Sequence, residues 1–408
     1  MKFGGRMRVR RRVLALFAMA SVAGVGCSSA TIAGNPQPGM TPVDLAVLKT
    51  GAYSPEPSAY DADIDSPGDL RSIEARRLLN YVVHSHEIDP EIDELGDVEL
   101  FYDGESMTTS ETFPEKYRPA AVDNKLIAGA YVSRINGNLR SRKKLIVAVL
   151  RFPTEAASRK AVIEFDQIAN VDPGRHPIPV EGHPEAKSSS ADDITTIAFA
   201  SHGPYVVVVN AGVPQANQSA LSSLVARTLT LQTARLDQQK AIPLDDILDL
   251  PFDPDSIMRR ALPKAPDYRD PFVSDRDFGP YEPAGALHFE RNPAEVKKAF
   301  DEGGVDLVGR RGGIVYRARD LAGAFRVQTA LVKTSREDEE ISAPPGLPDA
   351  RCVKLDATDP VRSFNELCAV VYGRYVAVVI SASTMTGLRS PNLSPRAAAQ
   401  YAILAKSE

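Results

Sequence analysis

The chain has 408 residues, of which 43% are hydrophobic and 25% charged, and a formal net charge of −5. That is room for two ordinary domains with an apolar fraction typical of globular proteins, which excludes a disordered stalk. The acidic balance argues against nucleic acid as a partner and against direct docking on anionic lipid.

The chain begins with Lys2, Arg6, Arg8, Arg10, Arg11 and Arg12 and no acid, then runs apolar from Val13 to Gly26. That order is expected of a secretory signal over residues 1–26. As a helix the run would reach roughly 21 Å, short of the ~30 Å hydrocarbon core, so a membrane span is excluded. Positive charge before the run directs everything after it outward. Arg10-Arg11 leaves general secretory and twin-arginine export both open. The run ends Gly24-Val25-Gly26-Cys27, with Ser28-Ser29 following. This resembles the lipobox of bacterial lipoproteins, although those usually carry Leu where Gly24 stands. The resemblance implies a diacylglyceryl group on the Cys27 sulfur and cleavage between Gly26 and Cys27. Two acyl chains give a stable anchor where one is marginal. The expected location is therefore the outer face of the cytoplasmic membrane, with that membrane as partner through the lipid. Removal of the signal takes six basic residues and leaves a net charge of about −11.

Residues 27–42, with Gly34, Pro36, Pro38 and Gly39, read as a flexible tether reaching at most about 45 Å from Ser28 to Thr41 at 3.3 Å per residue. A first α+β domain is expected over 43–240, an acidic, proline-rich linker crossing the surface over 241–276, and a second α+β domain over 277–408. The halves echo each other. Gly51-Ala52-Tyr53-Ser54-Pro55 opens one and Gly279-Pro280-Tyr281-Glu282-Pro283 the other. A strand over Leu145–Phe152 precedes a helix over 153–169; the counterparts are Ile314–Arg319 and Leu321–Lys333. His202-Gly203-Pro204-Tyr205 and Tyr372-Gly373-Arg374-Tyr375 each read as a hairpin turn before a β-branched strand, apolar on both faces and therefore central. Helices over Ser219–Leu236 and 395–406 close each half. The pattern predicts two tandem β-α-β-β-β-α units, each an antiparallel sheet with a helical layer, with extra material between 84 and 140 in the first.

The Gly-x-Tyr-x-Pro opening, the Ile73-Glu74-Ala75-Arg76-Arg77 helix running to Tyr81-Val82-Val83, and the Ala148-Val149-Leu150-Arg151-Phe152-Pro153 junction resemble a large family of actinobacterial cell-envelope lipoproteins of similar length, to which no activity is assigned. The resemblance spans nearly the whole exported chain. It implies an envelope location and carries over no catalytic residue.

Cys352 and Cys368 both fall in strand-like segments of an exported chain, and a disulfide between them is expected. Closing a loop of ~15 residues is worth about 3 kcal/mol. Asp61-x-Asp63-x-Asp65 begins like a calcium loop, but Ser66 and Ser72 stand where Gly and Glu are required. His84-x-His86, on an expected helix, would not share a face, and His176 and His183 sit in proline-rich loops; no zinc site is expected. Ser188–Ser190 reads as a polar strand, and 140–144 as a basic turn before a strand. No nucleophile elbow, phosphate loop or metalloprotease motif occurs, so no catalytic residue, metal or cofactor is assigned. The expectation is a non-catalytic binder of a ligand or partner of unknown specificity, an envelope lipid or a protein among the candidates; the alternative is a hydrolase-like envelope enzyme with an unrecognised site. The lack of Trp argues mildly against polysaccharide, although thirteen Tyr could substitute.

Overall fold

A computed structural model describes residues 39–60, 66–109, 112–239, 241–264, 277–384 and 388–408. The signal peptide, Cys27, most of the tether, Asp61, Asp63 and Asp65, and the last part of the linker lie outside the described residues. The first half contains α1 (Pro67–Leu79), α2 (Ser85–Ile88), β1 (Glu94–Phe101), α3 (Ser106–Thr109), α4 (Arg118–Asp123), β2 (Ala128–Ile135), β3 (Lys144–Arg151), α5 (Glu155–Ala169), β4 (His176–Pro177), β5 (Lys187–Ser190), β6 (Thr195–His202), β7 (Tyr205–Gly212) and α6 (Gln218–Leu236). The second contains β8 (Gly279–Tyr281), α7 (Pro283–Leu287), α8 (Pro293–Gly303), β9 (Leu307–Arg310), β10 (Ile314–Arg317), α9 (Leu321–Leu331), β11 (Glu339–Ile341), β12 (Arg351–Lys354), β13 (Glu366–Tyr372), β14 (Tyr375–Ser381) and α10 (Leu393–Lys406).

Each half is one seven-stranded antiparallel sheet. The orders are β1-β2-β3-β7-β6-β5-β4 and β8-β9-β10-β14-β13-β12-β11, the same path traced twice. Register makes the match residue by residue: Arg151 opposes Tyr205 as Arg317 opposes Tyr375. Both hairpins turn on a glycine at positive φ, Gly203 at 51° and Gly373 at 54°, as such tight turns require. The crossover helices are capped at the same place, Thr154 accepting from the Ala157 N–H and Asp320 from that of Gly323. β7 and β14 sit fourth of seven, which is why their runs of valine are buried on both faces. The architecture is thus the α+β pair of tandem units that the patterning predicts.

Four details differ from expectation. The extra material at 84–140 supplies β1 and β2, and the second half fills the same places with the shorter β8 and β9. Helices cover both faces of each sheet. In sheet 1, α5 packs on one face, and α1 and α6 on the other. In sheet 2, α9 and α10 take opposite faces, since strands apolar on both sides must be covered on both. Residues 41–58 belong by contact to the second half. Thr41 donates twice to Asp349, Tyr53 is buried beside Arg396, and Arg311 bonds Ser58. Gly51 therefore does not open the first half, although its motif echoes that at Gly279. Finally, the linker is no surface crossing. Its prolines break it into short 3₁₀ turns (Leu244–Asp249, Pro254–Ser256 and Met258–Arg260), yet Ile247, Ile257, Met258, Ala261 and Leu262 are buried, the last four in the α10 core. Buried Gln400 satisfies its backbone, accepting from the Leu262 N–H and donating to the Arg260 carbonyl.

One apolar core runs from the α6 face of sheet 1 through α1 and α7 to the α9 face of sheet 2. The halves therefore close on each other, and α1 is the element at their junction.

Candidate functional site

The sequence of α1 explains its position. Ala75, Leu78 and Leu79 recur at helical spacing and are fully buried, as is Val82 just beyond the helix. At its start, the Asp69 carboxylate accepts from the Ser66 N–H and hydroxyl. Its last two turns carry Glu74, Arg76 and Arg77. Glu74 is wholly buried and takes two arginines, Arg151 Nη1 at 2.6 Å and Arg77 Nη1 at 2.7 Å. Arg151 also donates to the Ile242 carbonyl at 2.6 Å, so one ion cluster ties α1, β3 and the linker.

Beside this cluster a pocket of about 190 Å³ opens between α1, the linker and the β8–β9 edge. Its apolar walls are Ile73, Leu250, Pro251, Phe252, Pro254 and Leu307; Arg76, Arg77 and Asn80 are its polar side chains from α1 and the residue after it. Arg76 is 9% exposed. Its hydrogen bond to Ser72 Oγ is long at 3.4 Å, and no carboxylate among the described residues forms an ion pair with it. Gly279 makes the space: its φ is 148°, and a Cβ there would stand 2.6 Å from Arg76 Nε.

The same junction holds a buried histidine pair. His84, at the N-cap of α2, stacks on His288 with ring centroids 4.0 Å apart, and His86 stacks at 5.5 Å. His288 Nε2 donates to the Val82 carbonyl at 3.2 Å, while Nδ1 of each ring has no hydrogen-bond partner. Burial pushes both pKa values well below the usual imidazole range; His86 adds to the effect at His84 and His84 adds to it at His288, with Arg134 and Arg235 acting on both. Both rings are neutral. Arg134, 1% exposed, donates to the carbonyls of Asp93, His288 and Glu290, and burial lowers its pKa to about 10. Among the described residues, no group of three or more His, Cys, Asp or Glu is placed to hold a metal ion.

The other residues singled out from sequence are dispersed. Cys352 and Cys368 oppose each other on β12 and β13 and are joined by a disulfide. His176 bonds Asp193 and His183 bonds Thr230, each on a different segment of the first half. His176 opposes Ser190 on β5, which brings three groups of a hydrolytic set near one another. Ser190, however, is fully buried and its hydroxyl donates to the Thr195 carbonyl, so it is not presented to the imidazole. Lys143 of the basic turn bridges Asp89 and Glu91. Sequence reasoning missed Arg76, Arg134 and His288. The partners of Arg134 and His288 lie far along the chain, and Arg76 sits in the charged Glu74-Ala75-Arg76-Arg77 run with nothing local to show that Gly279 packs on it.

Two further concavities are larger and differently built. One, about 250 Å³, lies on the α5 side of sheet 1, with Ile146, Ile197, Val208 and Asn210 from the strands and Phe113 and Tyr117 above them. Its Lys116 is paired with Asp172. The other, about 390 Å³ and mostly polar, lies between the start of β1 and the β12–β13 loop; its Arg291 is paired with Asp338. Only at the α1 pocket does a buried cation among these lining residues lack a carboxylate.

The geometry defines a duplicated two-sheet α+β protein whose halves share one core and leave a pocket at their junction. The chain belongs to the family described as domain of unknown function (DUF7373): the N-terminal model of that family matches residues 62–252 and the C-terminal model residues 257–407. No curated protein matches. Among solved structures, the extracellular domain of PknH from Mycobacterium tuberculosis is similar at 14% identity and a TM-score of 0.27, covering 38% of this chain and 95% of that one. A likeness that distant carries no argument about this chain.

Proposed function

We propose that the protein is a non-catalytic binding protein of the bacterial cell envelope, anchored by lipid on Cys27 to the outer face of the cytoplasmic membrane, and that it holds a small amphipathic ligand at the junction of its halves. The observation that carries the binding reading is the α1 pocket, where apolar walls meet Arg76, Arg77 and Asn80. Apolar walls with a few convergent polar groups at the junction of two units are the usual composition of ligand sites, and a volume of about 190 Å³ suits only a small ligand. The export reading rests on the basic start, the short apolar run and the Gly26-Cys27 junction. The Cys352–Cys368 bond suits an oxidising compartment. Among the described residues no helix is long and apolar enough to cross a membrane, so attachment falls to the N-terminus in this reading.

The test is mass spectrometry of the membrane form purified from an actinobacterial host. The expected N-terminal peptide begins at Cys27 and carries a diacylglyceryl group. Extraction of the same preparation should yield a small amphiphile enriched over a control lipoprotein. An unmodified Cys27 overturns the anchor, and no enriched species overturns the ligand.

A further inference from the structure

We infer that the ligand of the α1 pocket is a single-chain amphiphile with an oxyanion head, a carboxylate or a phosphate, received by Arg76. The inference rests on the binding reading above and deepens it.

The argument begins with an imbalance of charge. A guanidinium has five N–H donors and cannot lose its charge, so burial requires acceptors or a counter-anion. Arg76 is 9% exposed and has one weak hydrogen bond, to Ser72 Oγ at 3.4 Å. Its neighbours do not compensate it. Arg77 and Arg151 share the single carboxylate of Glu74, so three guanidiniums stand at one end of α1 against one buried acid. The acid on the pocket wall, Glu282, is exposed at the rim and forms no ion pair with Arg76 among the described residues. The dipole at the C-terminal end of α1 offsets part of the cost but is no substitute for an anion.

The backbone is shaped for the same guanidinium. Gly279 sits at φ 148° against Arg76 Nε, where any Cβ would collide, so the fold gives up a side chain on β8 to seat the cation. The remaining N–H groups of Arg76 open on the pocket, because it lines that volume and its nitrogens are not among the enclosed, unpartnered ones. Leu250, Phe252 and Leu307 line the same pocket. An oxyanion alone would leave those walls wet, and an alkane alone would leave Arg76 unpaired. A head that accepts two parallel N–H bonds and a short apolar chain satisfies both.

The full chain in neutral phosphatidylcholine nanodiscs, against empty nanodiscs, would be titrated calorimetrically with octanoate and octyl phosphate below their micelle concentrations and with octanol below its solubility. Octanoate and octyl phosphate are expected to bind at least tenfold more tightly than octanol, and their ratio tells carboxylate from phosphate. Arg76→Gln should bring both anions to the octanol level and leave octanol unchanged; Arg76→Lys should retain part of the preference; Arg319→Gln, an exposed cation elsewhere, should change nothing. Binding of octanol as tight as octanoate overturns the inference without any variant, and so does anion binding that survives Arg76→Gln. In either case a neutral amphiphile recovered from the native preparation leaves the binding reading standing. If none of the three probes binds and the preparation yields no ligand, both fall.

Discussion

Arg151 and Arg317 hold the same place in two copies of one sheet, the end of the third strand opposite a tyrosine, and both hold the linker. Arg151 is buried against Glu74 and donates to the Ile242 carbonyl. Arg317 pairs with Asp306 and Asp255, whose carboxylates are exposed. One arginine thus fixes the start of the segment between the halves and the other its middle. What differs is the solvent. The acid of the first copy is enclosed on α1 inside the shared core, whereas Arg317, itself nearly as buried as Arg151, meets two acids that stand at the surface. The same ion pair is therefore expected to matter very differently in the two copies.

The largest effect comes from breaking the buried copy. Glu74→Leu strands Arg151 and leaves Arg77 unpaired, and loss of one partner in such a cluster costs about 3–5 kcal/mol. Asp255→Asn touches an exposed partner and should leave stability nearly unchanged, because water screens that pair. Chemical denaturation of the full chain reads both. Since one core spans the halves, Glu74→Leu should shift a single transition; a first half that melts alone would break the picture of a shared core. Equal losses from the two variants would break the comparison itself.

A second asymmetry is the disulfide. By register, Cys352 and Cys368 stand where the first half has Ser188 and Ala198, on the face covered by α10 as the other is by α6. The first half thus holds the same strand pair without a covalent link. Replacing both cysteines by alanine should cost about 3 kcal/mol, the entropy of a loop of ~15 residues. Hydrogen exchange should rise first across β12 and β13 and leave β5 and β6 as they were. Exchange that rises equally in both pairs would count against a local role for the bond.

How much of this was legible follows from the range of the signals. The hairpins at Gly203 and Gly373, the valine strands and the paired helices are local patterns, and they appear where the sequence puts them. The cysteine spacing is likewise local. The junction is not. Nothing near Arg76 in the chain announces that Gly279 will make room for it, and Gly51 repeats the Gly279 motif while packing somewhere else. The linker misled for a physical reason: prolines and aspartates mark irregular backbone, and irregularity was equated with exposure. Ile257, Met258 and Leu262 carried the contrary signal, a cluster of apolar side chains that a solvated linker would not keep.

The smallest effect should have the opposite sign. Asn210 on β7 matches Ile380 on β14, since each opposes the corresponding residue of the neighbouring strand, Ile197 and Leu367. Ile380 is buried in the shared core. Asn210 instead borders the concavity on the α5 side, and its Oδ1 is enclosed without a hydrogen-bond partner. An unpartnered buried amide oxygen is a cost, and isoleucine suits a strand better than asparagine. Asn210→Ile should therefore stabilise the protein by about 1 kcal/mol, visible as a higher denaturation midpoint at unchanged slope. The gain would come from copying into the first sheet what the second already uses, with Ile146 and Ile197 as the new neighbours. A loss of stability would mean that the first sheet needs a polar side chain on this face even when empty, and that the two copies have diverged in packing as well as in exposure.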